Sequence, residues 1–295
     1  RHVTQYFEMF GNRGIYHEGW TAVTRHSLPW ITRKWPSFDQ DEWELYDTSK
    51  DWSQARDLSK EMPDKLRELQ ELFLIEASKY NVFPLDDRVY ERFNAAIAGR
   101  PDLAGGRKTM TFYAGMDTLM ENTVLNVKNR SHTVTAEVEV SDGKTDGVIV
   151  AQGGRFAGWS LYVKDGVTKY VHNWFDADYS YVEATEKLPA GTVNVRYHFD
   201  FDGGQPGAGG TGRLYYNDKL VGEGRITKTV PFVFSADETL DVGGDLAMPV
   251  TDDYPEGEKN KFKGVVNWVR IDLEEDDVSH LEPEEQKYRR IIARQ

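Results

Sequence analysis

Cysteine is absent from this 295-residue chain. Without a thiol there is no disulfide, no thiolate metal site and no cysteine nucleophile. Long apolar runs are missing as well. No stretch approaches the roughly 18 residues that a membrane-crossing helix requires, so no membrane partner is expected. Basic residues are in deficit, with 36 Lys plus Arg against 49 Asp plus Glu, for a formal net charge of −13. A chain of that sign has no general footprint for phosphate, which argues against nucleic acid as a partner. Seven histidines are scattered along the chain, and no pair has the spacing of a helical zinc site. The opening residues, Arg1 to Glu8, lack an initiator Met and the apolar core of a signal peptide. They read as the start of a mature product or a fragment.

Aromatic residues are plentiful: 8 Trp, 15 Tyr and 14 Phe. A chain this aromatic can bury a sizeable core, and its length predicts about two domains. Short extended runs fill residues 1–50, among them Val3–Met9, Arg13–Ile15, Trp20–Thr24 and Trp43–Tyr46. A helix is predicted over 63–80, with Pro63 at its first position and Leu66, Leu69, Leu72, Phe73 and Tyr80 at helical spacing. Gly99, Pro101, Gly105 and Gly106 mark a connector. From about 108 to 273, alternating runs are separated by turns, as in Thr133–Val140, Trp159–Lys164, Thr192–Phe201 and Val265–Asp272. That pattern predicts an antiparallel sandwich. The fold class expected is therefore α+β: a small antiparallel sheet with one helix, followed by an all-β lectin-like sandwich or jelly roll. The expected division is 1–98, a linker at 99–107, the sandwich at 108–273, and an acidic linker with a C-terminal helix at 274–295.

Gly207-Ala208-Gly209-Gly210-Thr211-Gly212 matches a dinucleotide-binding pattern, but the strand-like Arg213–Tyr216 follows it. A hairpin loop is the better reading. Asn173–Tyr181 mixes aromatics with carboxylates, which suits either sugar stacking or core packing. Asp252 with Asp253, and Asp241 with Asp245, are acidic pairs that could each hold a calcium, but neither has EF-hand spacing and a solvated turn is the simpler reading of each. Asn129-Arg130-Ser131 fits a glycosylation sequon that chance alone supplies. No Ser-His-Asp order is legible.

Tyr6–Ala22 resembles the segment that follows the main catalytic region of bacterial arylsulfatases. Trp43–Asp51 and Asn81–Arg88 are similar to the C-terminal block of that family. Asp241–Asp245, followed by Pro249–Tyr254, looks like the extra C-terminal sandwich of its large members. The resemblance implies the C-terminal part of a sulfuric ester hydrolase. The family uses a formylglycine nucleophile, from a Cys/Ser-x-Pro-x-Arg motif, and a calcium ion. Ser27-Leu28-Pro29-Trp30-Ile31 has Ile where that Arg belongs, so this chain lacks the nucleophile and the calcium ligands and is expected to be inactive alone. The implied partners are an N-terminal catalytic part and a sulfate ester, with a homo-oligomer left open. The compartment is open between bacterial cytoplasm and periplasm. Where the family often carries Gly-Asp-Trp-Lys, this chain has Glu18-Gly19-Trp20-Thr21. Thr21 stands in place of the sulfate-contacting Lys, and His17 or Arg13 is the candidate replacement for its charge. On a regular strand His17 and Thr21 would share a face, unless the turn at Gly19 breaks the parity. The competing readings are a carbohydrate-binding module of lectin-like sandwich type and a structural or oligomerisation module.

Overall fold

The computed structural model describes residues 3–28, 37–88, 92, 103–141 and 145–274. The predicted C-terminal helix, the sequence Pro29–Ile31 and most of the connector lie outside the described residues. The chain divides into two compact units at residues 89–90.

The first unit is a four-stranded antiparallel sheet in the order β1 (Thr4–Met9), β2 (Asn12–His17), β3 (Trp20–Thr24), β4 (Trp43–Asp47). One face is covered by α1 (Pro63–Lys79), which opens on Pro63 as its sequence requires. The helix stops where Asn81 takes a left-handed φ of 55° and the Val82 N–H donates to the Ala77 carbonyl. Ile15, Ala22 and Leu45 meet Leu69, Phe73 and Ala77 in a thin core. The other face of the sheet leaves Phe7 56% and Met9 65% exposed.

The second unit is a sandwich of two antiparallel sheets. The six-stranded sheet runs in the order β13 (Lys219–Ile226), β12 (Gly210–Tyr216), β11 (Gly191–Phe201), β6 (His132–Val140), β15 (Val265–Leu273), β5 (Thr109–Phe112). The five-stranded sheet runs β10 (Asp178–Lys187), β9 (Val167–Trp174), β8 (Ala157–Lys164), β7 (Gly147–Gly154), β14 (Leu240–Val242). Alternation along each strand sends Val134, Ala136 and Val138 inward from β6, and Val193, Val195 and Tyr197 inward from β11. They close on Trp159, Leu161 and Tyr170 of the opposing sheet. The expected sandwich is present; of the glycine-rich segment, Gly207–Gly209 end the loop between β11 and β12, as expected, and Gly210–Gly212 already open strand β12.

Candidate functional site

A sandwich has two outward faces, and here they differ. The outward face of the five-stranded sheet is sealed by the segment 243–262. Val250 and Tyr254 of that segment pack on Val148, Ala151, Tyr162 and Val171. Asp253 pins it: the Tyr162 hydroxyl donates to Asp253 at 2.6 Å, and the ammonium groups of Lys164 and Lys169 flank the same carboxylate. Partial burial pushes the Asp253 carboxyl up, but the hydrogen bonds from Lys164 and Tyr162 win and hold it below the usual range.

The outward face of the six-stranded sheet is open. It carries a groove of about 530 Å³ lined by Thr135, Glu137, Asn194, Arg196, Trp268 and Arg270. A β-bulge makes it. Val266 pairs with Val138 and Trp268 with Glu137, which leaves Asn267 as the extra residue. Strict alternation after the inward Val266 would turn Trp268 into the core; the extra residue turns it outward and returns Val269 and Ile271 inward. The Asn267 amide donates to the carboxylates of Glu137 at 3.1 Å and Glu139 at 3.2 Å.

The register arranges the groove in rows across the sheet. One row is Arg270, Thr135, Arg196 and Tyr215; the next is Trp268, Glu137 and Asn194. The arginines of this face are unequally paired. Arg213 bonds Asp200 and Glu223, and those hydrogen bonds raise its already high pKa. Arg225 is held by Asp202, whose carboxyl that hydrogen bond lowers. The Arg270 Nε donates to Asp272 at 2.8 Å. The Arg196 guanidinium lies 4.3 Å over the Tyr215 ring, and the nearest acid recorded for it is the fully exposed Asp218, at 3.9 Å. The groove thus combines an indole, cationic and neutral hydrogen-bond donors and carboxylate acceptors. Beside it, His198 sits between the Thr133 hydroxyl at 3.0 Å and Asp200 at 2.9 Å. Asp200 is shared with Arg213, and Glu274 competes for the imidazole nitrogen that faces Thr133, so this chain of groups is a cross-link rather than an activated nucleophile.

The residues singled out in the first unit do not converge. Arg13 is buried against Asp41, with the rings of Phe38 and Trp43 each 5.4 Å from its guanidinium. Burial lowers its pKa against the pull of Asp41. Asp41 also meets the buried His26 imidazole at 2.9 Å, and the other ring nitrogen of His26 faces Asp87 at 3.4 Å. Sequence reading passed over this ion network, because its members are far apart in the chain. The Glu18-Gly19 turn has positive φ at both residues and pairs His17 with Trp20, and Tyr16 with Thr21. Directly paired residues share a face and successive ones do not, so His17 and Thr21 point to opposite faces. His17 bonds the Thr4 hydroxyl at 2.8 Å, and Thr21 is buried in the same row as Tyr46, whose phenol burial pushes up to about 12.

The acidic pairs are occupied by protein donors. Asp241 accepts from the backbone N–H of Thr118 and Leu246, and Asp245 from Val250 N–H and the Tyr254 hydroxyl. Asp252 is bound by Arg155. These carboxylates do not suit calcium, and among the described residues no group of three His, Asp or Glu could hold a metal. The sequon Asn129 is buried, donating to the Pro231 carbonyl and accepting from Gly207 N–H. Asn173–Tyr181 runs from the end of β9 through the turn at 175–177 into β10. Its Trp174 ring is covered by the Lys228 ammonium at 3.6 Å, and Phe175 is exposed. Trp268 went unread because its direction depends on the bulge, which alternation alone does not reveal.

No protein-family model matches the chain, and no curated protein does. Similar solved structures include a sialidase CBM40 of Ruminococcus gnavus bound to α2,6-sialyllactose, at 12% identity and a TM-score of 0.37 over 58% of this chain and 94% of that one. Sheep galectin-11 in complex with glycerol has 11% identity and a TM-score of 0.31 over 55% and 95%. Domains LG4-5 of the mouse laminin α1 chain have 10% and 0.32 over 57% and 39%. Likenesses this distant say nothing about ligand. The sulfatase resemblance is corrected by the same comparisons: no sulfatase family matches any part of the chain, and the similar structures named are all-β binding domains. The sulfatase-type subdomain expected over residues 1–98, the hydrolase activity and the calcium rested on that resemblance alone.

Proposed function

We propose that the sandwich unit is a carbohydrate-binding module whose ligand lies in the open groove of the six-stranded sheet. The carrying observation is Trp268, turned by the bulge into a polar groove on the one outward face that the segment 243–262 does not seal. An indole in such a place offers a flat apolar surface for the C–H face of a sugar ring. Glu137, Asn194 and Thr135 around it are an acceptor, an amide and a hydroxyl, the groups that bind sugar hydroxyls. The adjacent His198 chain lacks an activated nucleophile, which favours binding over turnover. Glycan-array screening of residues 103–274 within the whole chain, followed by titration calorimetry, tests the reading. A glycan should bind, and Trp268→Ala should weaken it by about tenfold or more. Binding that Trp268→Ala leaves unchanged, or no binding to any glycan, overturns it.

A further inference from the structure

We infer that the groove selects an acidic glycan, whose carboxylate or sulfate sits over Thr135 between Arg196 and Arg270. This inference rests on the carbohydrate reading above and names the substrate class. The register carries it. Arg270 on β15 and Arg196 on β11 are each paired directly with Thr135 of the intervening β6. Two long cationic side chains therefore flank one short hydroxyl in a single row. Their backbones are two strand spacings apart, about 10 Å, and two extended guanidinium groups can converge on one oxyanion across that gap. The Thr135 hydroxyl at the floor supplies a further donor.

Charge bookkeeping on this face supports the same point. Three arginines, Arg213, Arg225 and Arg270, have a carboxylate within 3 Å. Arg196 differs. Its guanidinium lies 4.3 Å over Tyr215 on the β12 side of the row, and its acid is Asp218 at 3.9 Å on a fully exposed turn, so to reach Thr135 it must swing back across β11. A bridge of that length and exposure holds a guanidinium weakly. Arg270 uses its Nε on Asp272, which also accepts from the Thr109 hydroxyl, and its guanidinium lies 5.9 Å over the Trp268 ring, so its terminal N–H groups border the groove beside the indole. Three carboxylates line the groove: Asp218 and Asp272 face Arg196 and Arg270, and Glu137 lies in the neighbouring row between Trp268 and Asn194, engaged by Asn267. An acidic sugar stacked on Trp268 would put its hydroxyls against Glu137 and its oxyanion against the arginine row. The opposite orientation would set like charges together.

The experiment compares a uronate-containing oligosaccharide, its carboxyl-reduced neutral counterpart and a sulfated oligosaccharide by calorimetry on the whole chain. Measurements at about 50 and about 300 mM NaCl read the charge dependence. The uronate or the sulfated sugar should bind about tenfold tighter than the neutral one, with the preference shrinking at high salt. Arg196→Gln and Arg270→Gln, each checked for an unchanged melting temperature, should each remove most of that preference. Which acidic probe keeps the preference identifies the oxyanion. Equal affinity for acidic and neutral sugars, or a preference untouched by both arginine variants, overturns the inference. If that happens while Trp268→Ala still abolishes binding, the carbohydrate reading stands; if Trp268→Ala has no effect, that reading falls instead.

Discussion

Asn173 is fully buried at the end of β9, and its two amide hydrogens are shared among three carbonyls, of Gly154, Arg155 and Val250. Its oxygen accepts from Asp176 N–H at 2.9 Å. One side chain thus ties the β7–β8 tip, the segment over the five-stranded sheet and its own turn. Removing it leaves several buried polar groups without partners. Asn173→Ala should cost about 2–3 kcal/mol in urea-induced unfolding. Asn173→Asp should cost more, because a carboxylate would face three carbonyl oxygens. Near-wild-type unfolding midpoints for both would refute this account of the turn.

At the scale of elements, α1 and β15 make opposite points. Among the described residues of the first unit the buried core cluster is six residues, and Phe73 is its largest member. Phe73→Ala should destabilise that unit by about 3–5 kcal/mol, read as lost hydrogen-exchange protection in β2 and β3. Retained protection would mean that the sheet holds without its helix. In β15 the arithmetic of alternation governs. Deleting Asn267 removes the extra residue yet keeps Trp268 outward and Val269 and Ile271 inward, so the variant should fold. Inserting one residue after Trp268, in the regular stretch beyond the bulge, reverses every later side chain and turns the fully buried Val269 and Ile271 outward, so it should abolish folding. Circular dichroism on the two variants checks both outcomes. The same arithmetic explains what the sequence disclosed. Long alternating strands such as β6 and β11 were legible to within a residue or two. Three-residue β14 and four-residue β5 were not, because they are too short to show a period. α1 was legible from its proline and its apolar spacing. The groove was not, since it is assembled from β6, β11 and β15 by register and a bulge, and no local pattern encodes either.

For the whole molecule, acid stability should reflect two buried groups acting against each other. Burial pushes Asp245 up to about 6, with Asp241 and Glu238 adding to the effect and the bonds from Tyr254 and Val250 opposing it. Burial pulls His172 down to about 3; its Nε2 accepts from Val230 N–H, which requires the neutral ring. For Asp245 the folded state binds the proton more readily than the unfolded chain. Stability from this group is therefore gained as pH falls through about 6 and is fully present only below about 4, a gain of roughly 3 kcal/mol at most. For His172 the unfolded chain binds the proton more readily, so stability is lost as pH falls from about 6.5 toward 3, by a somewhat larger amount. The two windows overlap, and the measured stability should change little between pH 6 and about 4.5. The depressed carboxylates, such as Asp253 and Asp200, join the loss only as pH falls below about 4. Asp245→Asn removes the gain and should make the protein markedly more acid-sensitive across that interval. His172→Gln removes the loss and should tilt the curve the other way, toward greater stability at pH 5 than at pH 7. Urea unfolding of the wild type and both variants at pH 7, 5.5 and 4.5 reads these slopes. Parallel curves for all three proteins would show that neither burial is felt in the folding equilibrium.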